Sequence, residues 1–148
     1  VNGRIEGPGK VIFANGTVYE GAFKDAKNHG KGKIIYLDGH SYDGDWYEGL
    51  KQGIGLEIQP DGSTYNGAFV AGRPHGKGEL KLANGFKYIG EWTDGEITGL
   101  GKATYNNGNV YSGYLKKAQP HGVGKMIYIS GRVFKGIWDN GKEKTPLM

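Results

Sequence analysis

The sequence predicts an all-β fold, an elongated and twisted single-layer antiparallel meander of about twelve strands. The first observation is a 23-residue repeat whose two halves each alternate with the period of two that β-strands show. The second is an Asn-Gly or Asp-Gly pair between most of these halves, which is typical of hairpins. The third is that no stretch has the 3.6-residue period of an amphipathic helix.

Each repeat opens on an aromatic residue, with glycine two positions later and a large apolar residue two positions beyond that. The opening residues are Tyr19, Tyr42, Tyr65, Tyr88, Tyr111 and Phe134. The apolar residues are Phe23, Trp46, Phe69, Trp92, Leu115 and Trp138. A Gly-x-Gly pair such as Gly53 and Gly55 then begins the second half, and a turn pair such as Asp61-Gly62 closes the repeat. These positions predict one strand for each half.

One array is predicted over 1–148, opening with a half repeat at 7–18. Full repeats begin at 19, 42, 65, 88 and 111, a last half repeat covers 134–138, and a polar tail covers 139–148. Because the sequence begins midway through a repeat, we expect it to be a piece of a longer protein. The Asn-Gly and Asp-Gly pairs predict type I′ turns, with positive φ at both central residues. The other connection, for example 24–29, is expected to be a longer polar link.

The alternation separates two faces, which we call the aromatic face and the outer face. The aromatic face carries Tyr42, Gly44 and Trp46, whereas the outer face carries Asp43 and Asp45. Glycine weakens a strand unless something must lie close to its backbone, so we expect the aromatic rings to cover the strand glycines. Because no helix supplies a second layer, we expect the aromatic face to curl over itself, to accept a partner, or both, and an exposed aromatic stripe would serve as a recognition surface.

One second-half strand departs from the pattern. It places Glu57 and Gln59 on the aromatic face and Ile54, Leu56 and Ile58 on the outer face. This indicates either a polar contact with an apolar patch outside it or ordinary drift between repeats.

Composition excludes several classes of protein. The chain has 29 glycines in 148 residues, at fixed offsets and without the collagen period, and it has no cysteine for a disulfide or a zinc–cysteine site. No apolar run approaches the ~20 residues that span a bilayer. The net charge of +4 permits acidic partners without requiring them.

The repeated pattern resembles the MORN repeat (membrane occupation and recognition nexus). The residues that carry the resemblance are Tyr19-Glu20-Gly21-Ala22-Phe23, then Asn28-His29-Gly30-Lys31-Gly32 and Asp38-Gly39. The resemblance covers nearly the whole chain and is closest in kind to the MORN-only scaffolds of protozoan cytoskeletons. It implies a twisted single-layer sheet with an aromatic groove that binds proteins, self-associates and binds acidic phospholipids. A cytoplasmic protein at the cytoskeleton or the membrane–cytoskeleton junction is therefore expected.

The preferred functional hypothesis is a non-enzymatic scaffold whose groove holds a peptide, a helix or a second copy of the chain. The predicted groove residues are Tyr19, Phe23, Tyr42, Trp46, Tyr65, Phe69, Tyr88, Trp92, Tyr111, Phe134 and Trp138. Homo-oligomers are expected through an open end, since the strand at 134–138 leaves an unpaired edge unless the tail covers it.

Two alternatives remain open. One is a module that binds phosphoinositides or other acidic phospholipids through Lys31, Lys33, Lys77, Lys81, Lys102 and Lys125. The other is the MORN portion of a larger enzyme, such as a lipid kinase or a lysine methyltransferase. Nucleic acid is not expected as a partner, because the aromatic residues and the lysines prefer opposite faces.

No catalytic residues, cofactor or metal are predicted. The histidines at 29, 75 and 121 share one repeat position, and four strands separate successive ones, so ~19 Å keeps them from a single site. We expect solvated turn histidines, with a zinc bridge between two chains as the alternative. The recurring Gly-x-Gly lacks the following helix that a nucleotide site requires.

Overall fold

The computed structural model describes residues 6–147 and contains thirteen β-strands. The strands are β1 (Gly7–Ile12), β2 (Val18–Lys24), β3 (Lys27–Ile35), β4 (Ser41–Tyr47), β5 (Leu50–Ile58), β6 (Thr64–Val70), β7 (Arg73–Lys81), β8 (Lys87–Thr93), β9 (Glu96–Thr104), β10 (Val110–Lys116), β11 (Gln119–Ile127), β12 (Val133–Asp139) and β13 (Lys142–Pro146). The predicted all-β antiparallel meander is confirmed. Residues 1–5 and 148 of the predicted array lie outside the described residues.

The chain divides after Arg73 into two compact units. In the first unit β1 to β6 pair in sequence order, and in the second unit β7 to β13 do so, each with its neighbour antiparallel. Within the described residues there is no helix, and so none that could span a membrane.

The thirteenth strand corrects the sequence analysis, which leaves 139–148 as a polar tail. Residues Lys142–Pro146 form β13, which pairs with β12 through Gly136↔Pro146 and Asp139↔Lys142. The tail therefore covers the edge at 134–138, which is the alternative that the sequence left open. The new last strand carries two lysines and ends on a proline, and both residue types discourage further strand pairing.

The turns also differ from the prediction, because the Asp-Gly pairs do not form type I′ turns. Tyr36 to His40 form a three-residue hairpin loop in which Gly39 N–H donates to Tyr36 O at 2.9 Å and Tyr36 N–H donates to His40 O at 2.9 Å. Only Gly39 of the pair has positive φ, +96°. This is a type I turn followed by a glycine bulge. Asp38 Oδ1 accepts from His40 N–H at 2.9 Å, so the acidic residue serves as a side-chain cap of the turn.

The type I′ geometry occurs at the other connection, where the sequence predicts a longer polar link. Asp25 and Ala26 have φ of +52° and +65°, so they form a two-residue turn and β3 begins at once. A residue with a side chain is strained in the left-handed region, and short polar residues tolerate that conformation best. Because Asp25-Ala26 is not one of the Asn-Gly or Asp-Gly pairs that usually form this turn, the sequence did not predict a tight turn here.

A bulge in the longer strand of the hairpin explains how so short a turn fits. Between the pairs Gly21↔Gly32 and Phe23↔Asn28, β2 contributes one residue and β3 contributes three. Gly30 lies in this bulge with φ of +90°, a conformation that favours glycine. The first glycine of Gly-x-Gly thus adopts the positive φ that the bulge requires.

The second glycine of Gly-x-Gly serves the aromatic packing. A Cβ on Gly101 would lie 2.5 Å from Cε1 of Tyr88, and the tyrosine hydroxyl donates to Glu91 O at 2.9 Å. Tyr19, Tyr42, Tyr65 and Tyr111 make the same bond to the carbonyl three residues on, at 2.7–2.8 Å. Each tyrosine therefore lies flat on the sheet where a side chain would otherwise stand.

Large rings on neighbouring strands complete the packing. In the first unit Phe23, Tyr19, Trp46, Tyr42, Phe69 and Tyr65 make successive edge-on contacts with ring centroids 4.9–5.4 Å apart. In the second unit Tyr88 contacts Trp92, and Tyr111 and Phe134 contact Trp138, at 5.3–5.8 Å. We call these two sets the ring ladder. It forms the core of a sheet that has no second layer of structure within either described unit.

We predict that Gly101→Ala destabilises the protein by about 3 kcal/mol, because the added methyl group overlaps the Tyr88 ring. Urea unfolding monitored by tryptophan fluorescence measures the change. Gly95→Ala is the control: a Cβ there meets nothing within 4 Å, and Ala26 and Ala118 already occupy the equivalent turn position. The control costs about 1 kcal/mol from its positive φ alone. Equal losses in the two variants would contradict the role assigned to the ring.

Candidate functional site

The structure places the predicted groove residues in the ring ladder. Ten of the eleven are buried, with 0–7% of their surface exposed, and Phe134 is half-buried. These residues therefore do not form an exposed aromatic stripe, because the rings cover the strand glycines and one another. Partner contact by these residues stays a prediction, and the area that they could offer is small.

Polar atoms of the ring ladder are also engaged within the sheet. The indole N–H groups of Trp46, Trp92 and Trp138 donate to Gly32, Gly78 and Gly124 carbonyls at 2.9, 3.2 and 3.0 Å. Burial raises the pKa of Tyr65, Tyr88 and Tyr111 to about 12, and it raises the pKa of Tyr42 further. These hydroxyls therefore stay protonated and act as donors at physiological pH.

The accessible rings of the aromatic face lie beside the three-residue loops. They are Phe13, Tyr36 and His40 in the first unit, and Phe86, Tyr105 and Tyr128 in the second, and we call them the ring rim. Tyr36 stacks on His40 with centroids 4.0 Å apart, and Phe86 lies 5.5 Å from Tyr105. Unlike the ladder, the rim leaves ring surface in contact with solvent.

A charged cluster lies beside the rim of the first unit. Lys51 Nζ and Glu57 Oε2 are 2.9 Å apart, and Gln59 donates to the second carboxylate oxygen at 2.9 Å. The lysine also lies 5.6 and 5.1 Å from the ring centroids of Tyr36 and Tyr42, close enough for cation–π attraction. The second-half strand that departs from the repeat pattern thus makes a polar contact on the aromatic face through Glu57 and Gln59. On the outer face of the same strand, Ile54 and Ile58 are exposed.

A second polar cluster lies on the aromatic face beside the last strands, β12 and β13. The Arg132 guanidinium lies 4.3 Å from the Tyr128 ring centroid and pairs with the Glu143 carboxylate of β13. The Tyr128 hydroxyl donates to the same carboxylate. Hydrogen bonds from both partners hold the pKa of Glu143 below its usual range. The last strand, β13, is thus connected to the ring rim through the contacts of Glu143 with Arg132 and Tyr128.

The predicted lipid-binding lysines lie exposed on the outer face, and most of them face carboxylates. Lys31 pairs with Asp45, and Lys81 lies 3.1 Å from Glu79. Lys33 lies between Glu20 and Asp43 on the adjacent strands, and Lys77 lies opposite Glu91. Lys102 and Lys125 both lie opposite Ser112 instead. Of these six lysines, Lys102 and Lys125 are thus the two that no carboxylate faces in the strand register or in the ion pairs of the described residues, and phospholipid binding stays a prediction.

The repeated histidines link successive hairpins. His29, His75 and His121 accept through Nδ1 from the turn N–H groups of Glu48, Asp94 and Asn140 at 3.1–3.3 Å. Gln52 and Thr98 make the same link with side-chain oxygens, to Ala71 and Lys117 at 2.8 and 3.2 Å. The described residues contain no group of three or more potential metal ligands. The shared histidine position is explained by an acceptor that each tight turn requires.

Sequence reasoning overlooked the rim, although a signal for it exists. Phe13, Tyr36, Tyr105 and Tyr128 all occur two residues before an Asx-Gly or Ser-Gly pair and share the 23-residue period. Their partial exposure depends on the loop geometry, which was predicted with the wrong turn type.

Comparison with known proteins identifies the family. The MORN repeat model matches six successive segments, residues 1–18, 19–41, 42–64, 65–87, 88–110 and 111–131. The chain belongs to the MORN-repeat family. No curated protein matches.

MORN repeats suggest a repeat scaffold for interactions, and a solved structure has a similar fold. This is the TCP domain of Drosophila melanogaster SAS-4 (dCPAP), in complex with a proline-rich motif of Ana2 (dSTIL). The two proteins share 14% sequence identity with a TM-score of 0.52 over 87% of this chain and 71% of that one. At this identity the likeness concerns the fold.

We predict that stability falls as the pH rises from 10 to 12. The folded pKa of Tyr65, Tyr88 and Tyr111, about 12, is above the unfolded value of about 10. The unfolded chain therefore loses protons first, and the free energy of unfolding decreases through this window while it is unaffected below it. Urea unfolding at several pH values, with tyrosinate absorbance as the probe, measures the effect. Titration of all tyrosines near pH 10 in the folded protein would contradict it.

We also predict that His75→Ala destabilises the protein by about 1 kcal/mol, because the Asp94 N–H loses its acceptor. His75→Gln is the matched variant and restores most of the loss, since glutamine fills this role at position 52. Thermal unfolding of the two variants measures the difference. Failure of glutamine to restore stability would show that the imidazole acts by some other contact.

Proposed function

We propose that this MORN-repeat protein is a non-enzymatic scaffold that binds an extended segment of another protein through the part of the ring rim that lies in its second unit. The observation that carries the proposal is the partial exposure of the paired Phe86 and Tyr105 rings beside buried rings of the same face. Aromatic side chains at such positions supply contact area at low conformational cost and are common hot spots of interfaces.

The chemistry of the rim favours a proline-containing ligand. Extended proline-rich segments dock on grooves lined by aromatic rings, because their conformation is already ordered before binding. Phe86 and Tyr105 supply two adjacent rings in the second unit, with centroids 5.5 Å apart. The structurally similar TCP domain binds a proline-rich motif, which supports this ligand class as the first to test.

The engagement of the polar side chains supports a scaffold without catalysis. The ladder hydroxyls, the indole N–H groups and the three repeated imidazoles all bond to backbone groups. The Lys51–Glu57 pair is satisfied within its own cluster. The hydrogen bonds of these residues stabilise the repeat itself.

We predict that Phe86→Ser with Tyr105→Ser weakens binding of a proline-rich peptide at least about tenfold, through loss of the ring contacts. Fluorescence anisotropy with a panel of labelled proline-rich peptides measures affinity, and amide chemical-shift changes locate the site. Tyr114→Ser, on the outer face, is the matched control and leaves affinity unchanged. Shift changes confined to the outer face, or binding insensitive to the rim variant, would count against the proposal.

Self-association through the ends of the array stays a prediction. The final edge is now β13, where Lys142, Lys144 and Pro146 oppose further pairing. Light scattering of the purified protein decides it, and the peptide experiment does not depend on the result.

A further inference from the structure

The outer face of the second unit carries an exposed apolar row that the repeat does not need. Leu100, Tyr114, Val123 and Ile137 are 62%, 38%, 57% and 37% exposed. Leu100 lies opposite Tyr114, and Val123 lies opposite Ile137, so the row crosses four adjacent strands, β9 to β12. Such a contiguous patch differs from the scattered apolar residues of an ordinary surface.

A row of lysines runs beside the apolar row, offset by two residues on each strand. It consists of Lys102, Lys125 and Lys135, with Ser112 on the strand between the first two. All three lysines are exposed. By the strand register, neither row includes a carboxylate between β9 and β12. We call the two rows together the outer patch.

The outer patch retains an unfavourable contact that the corresponding row of the first unit lacks. Lys125 lies directly opposite Lys135, and like charges in this position destabilise a sheet. In the first unit the corresponding row alternates, with Lys33 between Glu20 and Asp43. A partner that brings carboxylates to the lysines would convert this repulsion into attraction.

From these observations we infer that the outer patch binds an acidic amphipathic helix of a protein partner. The side chains of the apolar row are spaced by the ~4.8 Å between strands, close to the ~5.4 Å of one helical turn. A helix lying across the strands can therefore place one apolar residue over each strand. The lysines lie ~6.7 Å to one side, where the flank of a helix ~10 Å wide presents its carboxylates.

A depression at one end of the outer patch adds a place for a side chain. Its lining includes Glu79, Lys87, Ile89, Lys102 and Thr104, and Ile89 is 54% exposed. It begins at Lys102 and continues the patch onto β8 and β7. A terminal apolar residue of the partner fits its apolar wall, and the two lysines at its margin favour a neighbouring carboxylate.

A helix explains the outer patch better than an anionic membrane does. Three lysines strengthen binding to an anionic surface only about a hundredfold. This surface is separate from the ring rim, so the inference does not depend on the proposed function.

The test uses a labelled helical peptide of about 14 residues, four turns, with leucines on one side and glutamates along one flank. Fluorescence anisotropy measures its binding to the whole protein. Lys102→Glu with Lys125→Glu is expected to weaken binding at least about tenfold and to restore it for a peptide with lysines in place of the glutamates. Lys33→Glu with Lys81→Glu, exposed lysines that already face carboxylates, changes affinity less than about twofold.

A second arm keeps the result interpretable. Lys125→Glu creates an opposite-charge pair with Lys135, so thermal stability is retained or increased while binding falls. Leu100→Ser with Val123→Ser weakens binding without altering the charge. Equal loss in the two lysine pairs would overturn the assignment. So would binding to vesicles of phosphatidylserine and phosphatidylcholine in about a 1:3 ratio without binding to the peptide.

Discussion

The contact on which this protein depends is a tyrosine ring lying on a pair of glycines. A sheet normally buries one face against a second layer, and the described part of this chain has none. Here Tyr42 lies over Gly44 and Gly55: a Cβ on Gly55 would overlap the ring, and a Cβ on Gly44 would overlap the backbone of Gly55 and lie 2.9 Å from the tyrosine hydroxyl. Repetition of this contact within each unit places one tyrosine ring over each pair of glycines and supplies the core of that unit.

This arrangement ties each residue type to a separate task. The tyrosine hydroxyl bonds to a carbonyl three residues on, and the tryptophan indole bonds to a carbonyl of the previous hairpin. The histidine, glutamine or threonine in the bulge bonds to the next turn. Since the ring ladder satisfies its own polar groups, the recognition that we propose is assigned to the ring rim and to the outer patch. These are the places where side chains exceed what the repeat requires.

The period and the alternation were sufficient to predict the first twelve strands, the faces and the ring-on-glycine packing, because all three follow from local spacing, whereas β13 lies beyond the last aromatic position of the repeat. Turn geometry was not predictable in this way. Asp-Gly suits both a type I′ turn and a type I turn with a glycine bulge, and the strand register decides between them. The same limit applies to Lys51 and Glu57, which lie six residues apart and meet because both face the rings. The sequence predicted which residues form the ring ladder, but it did not predict that their side chains are buried. Their exposure depends on how rings on neighbouring strands pack against one another.

The side-chain links across nineteen residues bear on how such a chain can evolve. Excision of residues 42–64 would bring Ala71 to the position that Glu48 now occupies, and His29 would meet the same kind of N–H group. Every internal junction is chemically equivalent in this respect. Whole 23-residue periods can therefore be gained or lost by recombination without leaving a turn N–H group that lacks its side-chain acceptor. The number of binding surfaces can then change faster than the fold itself.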